Sequence, residues 1–170
     1  LHSDTHSFPT RRSSDLAHYG GWAIYPDEGS SHLVIENNIA YNCNCSAFHQ
    51  HYGRENTVRN NIFALGGETV FAVSKAESVR ALTVTRNIFI SKGAPMFTSG
   101  YGHTFAEHPE IVDSDLNLFW DLSGTPAMLC EKADTVAELD GATVSFAEWQ
   151  KFGLDLHSIV ADPRCTDPEG

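Results

Sequence analysis

Short runs of alternating apolar and polar residues, punctuated by Asn and Gly, recur along this chain at a near-constant spacing. VIENNIAYN at 34–42 returns as VRNNIFALG at 58–66, as VTRNIFISKGAPMF at 84–97 and, more weakly, as DLNLFWDLSGTPAML at 115–129. Asn38 and Asn61 are 23 residues apart, Asn87 follows 26 later and Asn117 a further 30. Phe48, Phe71 and Phe97 keep the same steps of 23 and 26. Each copy holds short runs rich in β-branched and aromatic residues, which read as strands. Residues 32–39, 57–63 and 82–89 are the clearest, with a further short strand at 23–25 and turn-rich PDEGSS at 26–31. No helix-length segment separates them, so a βαβ sheet does not fit. A repeat of about 20–30 residues built from short strands predicts an all-β stacked-coil solenoid of about four coils.

In that arrangement the repeated residues stack. Asn38, Asn61, Asn87 and Asn117 form an internal hydrogen-bonded ladder at a corner whose sharp backbone Asn tolerates. Phe48, Phe71 and Phe97, and likewise Ile39, Ile62 and Ile88, are expected as core stacks. After Phe97 the pattern loosens: 98–110 reads as a Gly- and His-rich loop, and 130–143 as an acidic insertion. One helix is expected near the C-terminus. Ser145 and Glu148 have the spacing of a capping box, Phe146, Trp149 and Phe152 share a face, and Gly153 supplies the stop. It would cover one end or side of the apolar stack. The tail HSIVADPRCTDPEG reads as a last strand followed by turns.

Composition changes this picture little. The 170 residues, 41% of them apolar, suit one domain with a core. No apolar run is long enough to span a membrane. A net charge of −11 argues against a phosphate-reading nucleic-acid partner and disfavours a polyanionic substrate. The cysteines are Cys43, Cys45, Cys130 and Cys165. Cys43 and Cys45 are expected on one side of a strand, at a spacing poor for zinc. Residues 7–16, SFPTRRSSDL, resemble the in-frame translation of a common short-read sequencing adapter. Residues 1–16 are therefore set apart as a non-native segment, and 17–170 are expected to be one domain truncated at both ends.

Three stretches carry a family resemblance: GWAIYPDEGSSHLVIENN, AFHQHYGRENTVRNNIFA and AEWQKFGLDLHSIVADP. Over residues 19–168 the chain resembles the C-terminal part of secreted right-handed parallel β-helix proteins, the pectate-lyase-like solenoids of polysaccharide-degrading bacteria. The resemblance implies a right-handed parallel β-helix, a secreted or cell-surface location and a poly- or oligosaccharide partner, with no nucleic acid, no membrane and a monomeric state for the full-length protein. Members include lyases, hydrolases, epimerases and non-catalytic proteins, so the fold leaves the activity open. The motifs of true pectate lyases and polygalacturonases are absent.

The repeat register gathers one set of titratable residues. It places Tyr25 over His49, Asp27 over His51 and Glu28 over Tyr52, with Ser74 and Lys75 one step further along. Asp27, Glu28, His49 and His51 are the candidate catalytic residues; Trp22, Tyr25, Tyr52, Arg54 and Lys75 are the candidate substrate contacts. Three chemistries suit these types. Glycoside hydrolysis uses two carboxyl groups, which adjacent Asp27 and Glu28 supply only if one pairs with a carboxylate elsewhere. β-Elimination would use Lys75 or a histidine as base and Tyr52 as proton donor. His49, His51 and Asp27 are also metal-ligand types, but His-x-His alone is a weak signal, and neither a metal nor another cofactor is expected. Hydrolysis of a plant or algal polysaccharide is the leading expectation. The alternatives are a polysaccharide lyase and a non-catalytic glycan-binding or surface scaffold.

Overall fold

A computed structural model describes residues 21–77, 79–102, 108–131 and 143–167. The adapter-like segment and most of the acidic insertion lie outside the described residues. The chain is mostly β, with parallel sheets and one short helix.

Strands follow one another in triplets. The first is β1 (Val34–Glu36), β2 (Ile39–Cys43) and β3 (Ser46–Gln50). The second is β4 (Asn56–Arg59), β5 (Ile62–Gly66) and β6 (Thr69–Ala76), and the third β7 (Leu82–Thr85), β8 (Ile88–Ser91) and β9 (Phe97–Gly102). The fourth is β10 (Val112–Asp115), β11 (Leu118–Asp121) and β12 (Ala127–Glu131). Then come β13 (Thr143–Ser145), α1 (Phe146–Lys151) and β14 (Ile159–Val160). Through the four triplets every third strand joins the same sheet, and β13 and β14 add to the sheets of β12 and β11. The orders are β1-β4-β7-β10, β2-β5-β8-β11-β14 and β3-β6-β9-β12-β13, parallel throughout except for the β12–β13 pair. Part of the expected loop at 98–110 is strand β9, and a 3-10 turn, Pro109–Ile111, leads into β10.

Two of the expected stacks form. Phe48, Phe71 and Phe97 lie in register and are fully buried, with ring centroids 4.2 Å and 5.4 Å apart. The Asn ladder is continuous. Nδ2 of Asn38 donates to Oδ1 of Asn61 at 3.0 Å, Asn61 to Asn87 at 3.0 Å and Asn87 to Asn117 at 3.2 Å. Each acceptor oxygen also takes the backbone N–H of the preceding Asn, at 2.9–3.0 Å. Beyond Asn117 stands a residue the repeats do not announce. Oδ1 of buried Asp155 accepts from Asn117 at 2.9 Å and from the Ser158 hydroxyl at 2.6 Å, while Oδ2 accepts from the Trp149 indole at 2.8 Å. A carboxylate, which only accepts, suits a ladder that ends in donors.

The third stack is corrected. Ile39, Ile62 and Ile88 pair in register with Leu118, but on the outer surface: Ile39 is 57% exposed, and the other two are half-buried. The ladder Asn turns inward, so the two-residue period of a strand sends the next side chain out and the one after it in. The core positions are therefore Ala40, Phe63, Phe89 and Phe119. The sharp bend is also one residue earlier than expected. Positive φ falls on Asn37, Asn60, Arg86 and Leu116, between 56° and 61°.

Helix α1 is as patterned. Ser145 caps it with Glu148 in a reciprocal box, Trp149 is fully buried against Phe97 at 5.0 Å, and Phe146 and Phe152 pack on the core. Gly153, at φ 83°, follows the last turn. Cys43 and Cys45 do not share a setting: Cys43 is in the core, Cys45 lies half-buried past a bend, and both are free thiols. Burial pushes the Cys43 thiol up to about 11, so it is protonated and inert at neutral pH.

Candidate functional site

Residues 21–29 run beside β3 as an irregular strand. Ile24 N–H donates to Ala47, His49 N–H to Ile24 and His51 N–H to Pro26, at 3.2, 2.9 and 3.0 Å. Ile24 bridges Phe48 in parallel, which sets Tyr25 beside His49 and Asp27 near His51. Phe48 and Gln50 are buried and leave His49 on the outer face. A polar tie beneath holds the adjoining turns. The Asn56 amide donates to Gln50 Oε1 and to the Ser30 carbonyl, both at 2.8 Å, and its Oδ1 accepts the Leu33 N–H at 2.9 Å. Gly53 sits at φ 153°, and a Cβ there would come within 2.1 Å of the Ser30 carbonyl oxygen, so the turn requires glycine.

On this support the side chains form two linked groups. The first is aromatic: the Trp22 and Tyr25 rings lie 4.5 Å apart, with His49 edge-on to Trp22 at 4.4 Å and 5.1 Å from Tyr25. His49 Nε2 contacts the Ser74 hydroxyl, while its Nδ1 is buried without a hydrogen-bond partner among the described residues. Burial, reinforced by the charge of His51, lowers the His49 pKa to about 4, so the ring is neutral at pH 7.

The second group is polar. Asp27 Oδ1 accepts from His51 Nδ1 at 3.0 Å and from the Glu28 N–H at 2.9 Å. The Tyr25 side chain first, then the Glu28 N–H and the His51 ring, hold Asp27 below the usual carboxylate range. The His51 ring meets Tyr52 at 5.0 Å, and the Lys75 ammonium lies 5.4 Å from the centre of the Tyr52 ring. Arg54 is engaged with Glu77 at 3.4 Å. Glu28 is exposed, and its carboxylate has no hydrogen bond or ion pair among the described residues.

The structure thus brings Trp22, Tyr25, Asp27, His49, His51, Tyr52 and Lys75 to one face. It leaves Glu28 on the flanking turn and Arg54 in an ion pair. Sequence reasoning missed Ser74 as a partner of His49, and missed Gln50 and Asn56 beneath the site. The Gly53–Asn56 spacing after HQHY was the available signal for the supporting turn. Trp120 lies on a different sheet, and His157 and Asp162 make strand-end and turn hydrogen bonds. No cluster of three or more His, Cys, Asp or Glu able to hold a metal ion occurs among the described residues. No helix among them is long and apolar enough to cross a membrane.

The arrangement can hold a sugar ring against Trp22 and Tyr25 and present an ionised carboxylate to it. Comparison with protein-family models, curated proteins and solved structures found no match.

Proposed function

We propose that the chain is a right-handed parallel β-helix whose outer face hydrolyses a plant or algal polysaccharide outside the cell. What supports the solenoid reading is the pairing of every third strand in parallel. The right-handed sense follows from the general preference of parallel crossovers. One observation carries the functional reading: an ionised carboxylate, Asp27, is held by His51 and the Glu28 N–H beside a Trp–Tyr–His aromatic cluster. Aromatic faces with polar tips suit the alternating C–H and hydroxyl surfaces of sugars. A carboxylate is the group that glycoside hydrolysis uses as nucleophile or base. Trp22 and Tyr25 form the stacking platform, and Tyr52 with Lys75 continues it past His51. Hydrolysis further requires a second carboxyl group roughly 5–9.5 Å from Asp27, to be supplied by Glu28 or by another coil.

The test is to express the gene without residues 1–16 and assay a panel of polysaccharides for reducing ends and for the ultraviolet absorbance of unsaturated sugars. Hydrolysis releases reducing ends without that absorbance, and Asp27→Asn lowers the rate at least about 100-fold while the fold is kept. Unchanged turnover in Asp27→Asn rejects the site. Absorbance with the reducing ends identifies a lyase instead. A second reading, glycan binding without turnover, is favoured by the solvent-facing Glu28, which has no partner in the patch. It predicts binding to a polysaccharide with no release of ends.

A further inference from the structure

We propose that the outer face of the β2-β5-β8-β11-β14 sheet is a second carbohydrate contact, a flat platform that binds a neutral polysaccharide by ring stacking on Tyr41 and Trp120. It lies on a different sheet from the Trp22–Asp27 face and does not depend on turnover there. The geometry begins with the isoleucines that face outward. Ile39, Ile62, Ile88 and Leu118 run in register across four strands, and Ile159 of β14 adds a fifth step. Two residues further along each strand, and so on the same side, lies a second row: Tyr41, Ala64, Ile90 and Trp120, again in register. Ala64 and Ile90 are buried, yet they stand apart from the core cluster that holds Phe63, Phe89 and Phe119. They form a floor between two half-buried aromatic side chains. At about 4.8 Å per strand, three steps set the Tyr41 and Trp120 positions about 14 Å apart along one line.

The strip selects its ligand by chemistry and by size. Aromatic side chains at both ends of an aliphatic row suit a polymer that repeats a C–H face, and a sugar chain lying flat is such a polymer. Neither row contains a charged residue, so the carboxylates of a uronate chain would meet no counter-charge there. The area argues against a second copy of the chain. Five strands by two rows cover on the order of 200 Å². A stable protein interface takes about 800 Å² from each partner. Ile39 and Ile159, 57% and 55% exposed, mark the two ends of the strip.

The experiment measures binding of the full chain to insoluble cellulose by depletion from solution, and to cellohexaose by calorimetry. Trp120→Leu and Tyr41→Leu each remove a ring and keep an apolar side chain on the strand. Trp22→Leu is the control on the other face. The expected result is binding weakened about 10-fold or more by each of the first two variants, at unchanged urea midpoints, and left as in the wild type by Trp22→Leu. A second measurement needs no change in the strip. In Trp22→Leu the remaining indoles are Trp120 and the fully buried Trp149, so a change in emission on adding cellohexaose reports Trp120. Unchanged emission overturns the proposal, as does a wild-type chain that binds neither glycan. Loss of binding confined to Trp22→Leu assigns the glycan to the other face and overturns it too. So does a wild-type dimer in sedimentation that Ile39→Ser and Ile159→Ser dissociate, because a second copy would then cover the strip. Cellulose held through Trp120 by a chain that cleaves no polysaccharide supports the platform and rejects the hydrolytic reading alone.

Discussion

Four residues bend the chain into the left-handed region just before the ladder, and the sequence serves them unequally. Asn37 and Asn60 suit that geometry, whereas Arg86 and Leu116 carry a Cβ penalty there. Leu116 is also 45% exposed, so its side chain contributes little burial. Leu116→Asn is therefore expected to stabilise the protein by about 1 kcal/mol, read as a rise in the urea midpoint at unchanged m-value. The bend was legible in the Asn-Asn pairs at 37–38 and 60–61. Its assignment to the first Asn was not, because either Asn could take the bend and only the stacked amides show which one turns inward. The same ambiguity misplaced Ile39, Ile62 and Ile88. A period of two fixes the alternation of faces but not which face is the core.

At the scale of the element, the ladder and its terminus behave as one hydrogen-bonded unit. Asp155 accepts from Asn117, Ser158 and Trp149 with both carboxylate oxygens. Asp155→Asn would turn an amide NH₂ toward groups that already donate. The expected cost is about 2–4 kcal/mol, measured as a loss of unfolding free energy in denaturant, with Asp155→Glu less damaging only if the turn shifts to admit it. Asn38, Asn61, Asn87 and Asn117 were legible because a repeat marks them. Asp155 was not, since it lies in a turn after α1, outside any period, and reaches Asn117 only through the folded chain. The candidate site shows the same division. The vertical neighbours Tyr25–His49 and Asp27–His51 follow from register. The diagonal tie from His49 to Ser74 does not: register continues from the Gln50–Val73 pair and sets Ser74 beside His51, yet its hydroxyl reaches His49.

For the molecule as a whole, acid sensitivity has two stages. The folded chain keeps His49 neutral down to about pH 4, whereas an unfolded histidine protonates near its ordinary 6.5. Between those values the unfolded state binds the extra proton, so stability falls as pH falls, by up to about 3 kcal/mol. The depressed carboxylates Asp27, Asp115, Asp121 and Glu148 act the same way, but their contribution is lost lower, below their ordinary range. Melting temperature against pH should slope upward from pH 4 to 6.5. His49→Gln should flatten that slope and leave the steeper loss at lower pH; an equal slope in both proteins would contradict the burial of His49.

The two ends of the stack are unlike. Past β10–β12 the rows are closed by β13, α1, β14 and the Asp155 knot. At β1 and β2 no described strand lies along the outer edge, and Leu33, Val34 and Ile39 stand open to water. Among the described residues the site therefore rests on the less covered row. In this chain amide exchange should accordingly be faster in 21–36 than in β10–β12. A glycan that grips Trp22, Tyr25 and Asp27 would then do more than occupy a surface: it would act as a latch, slowing exchange across β1–β3 while leaving the far rows unchanged.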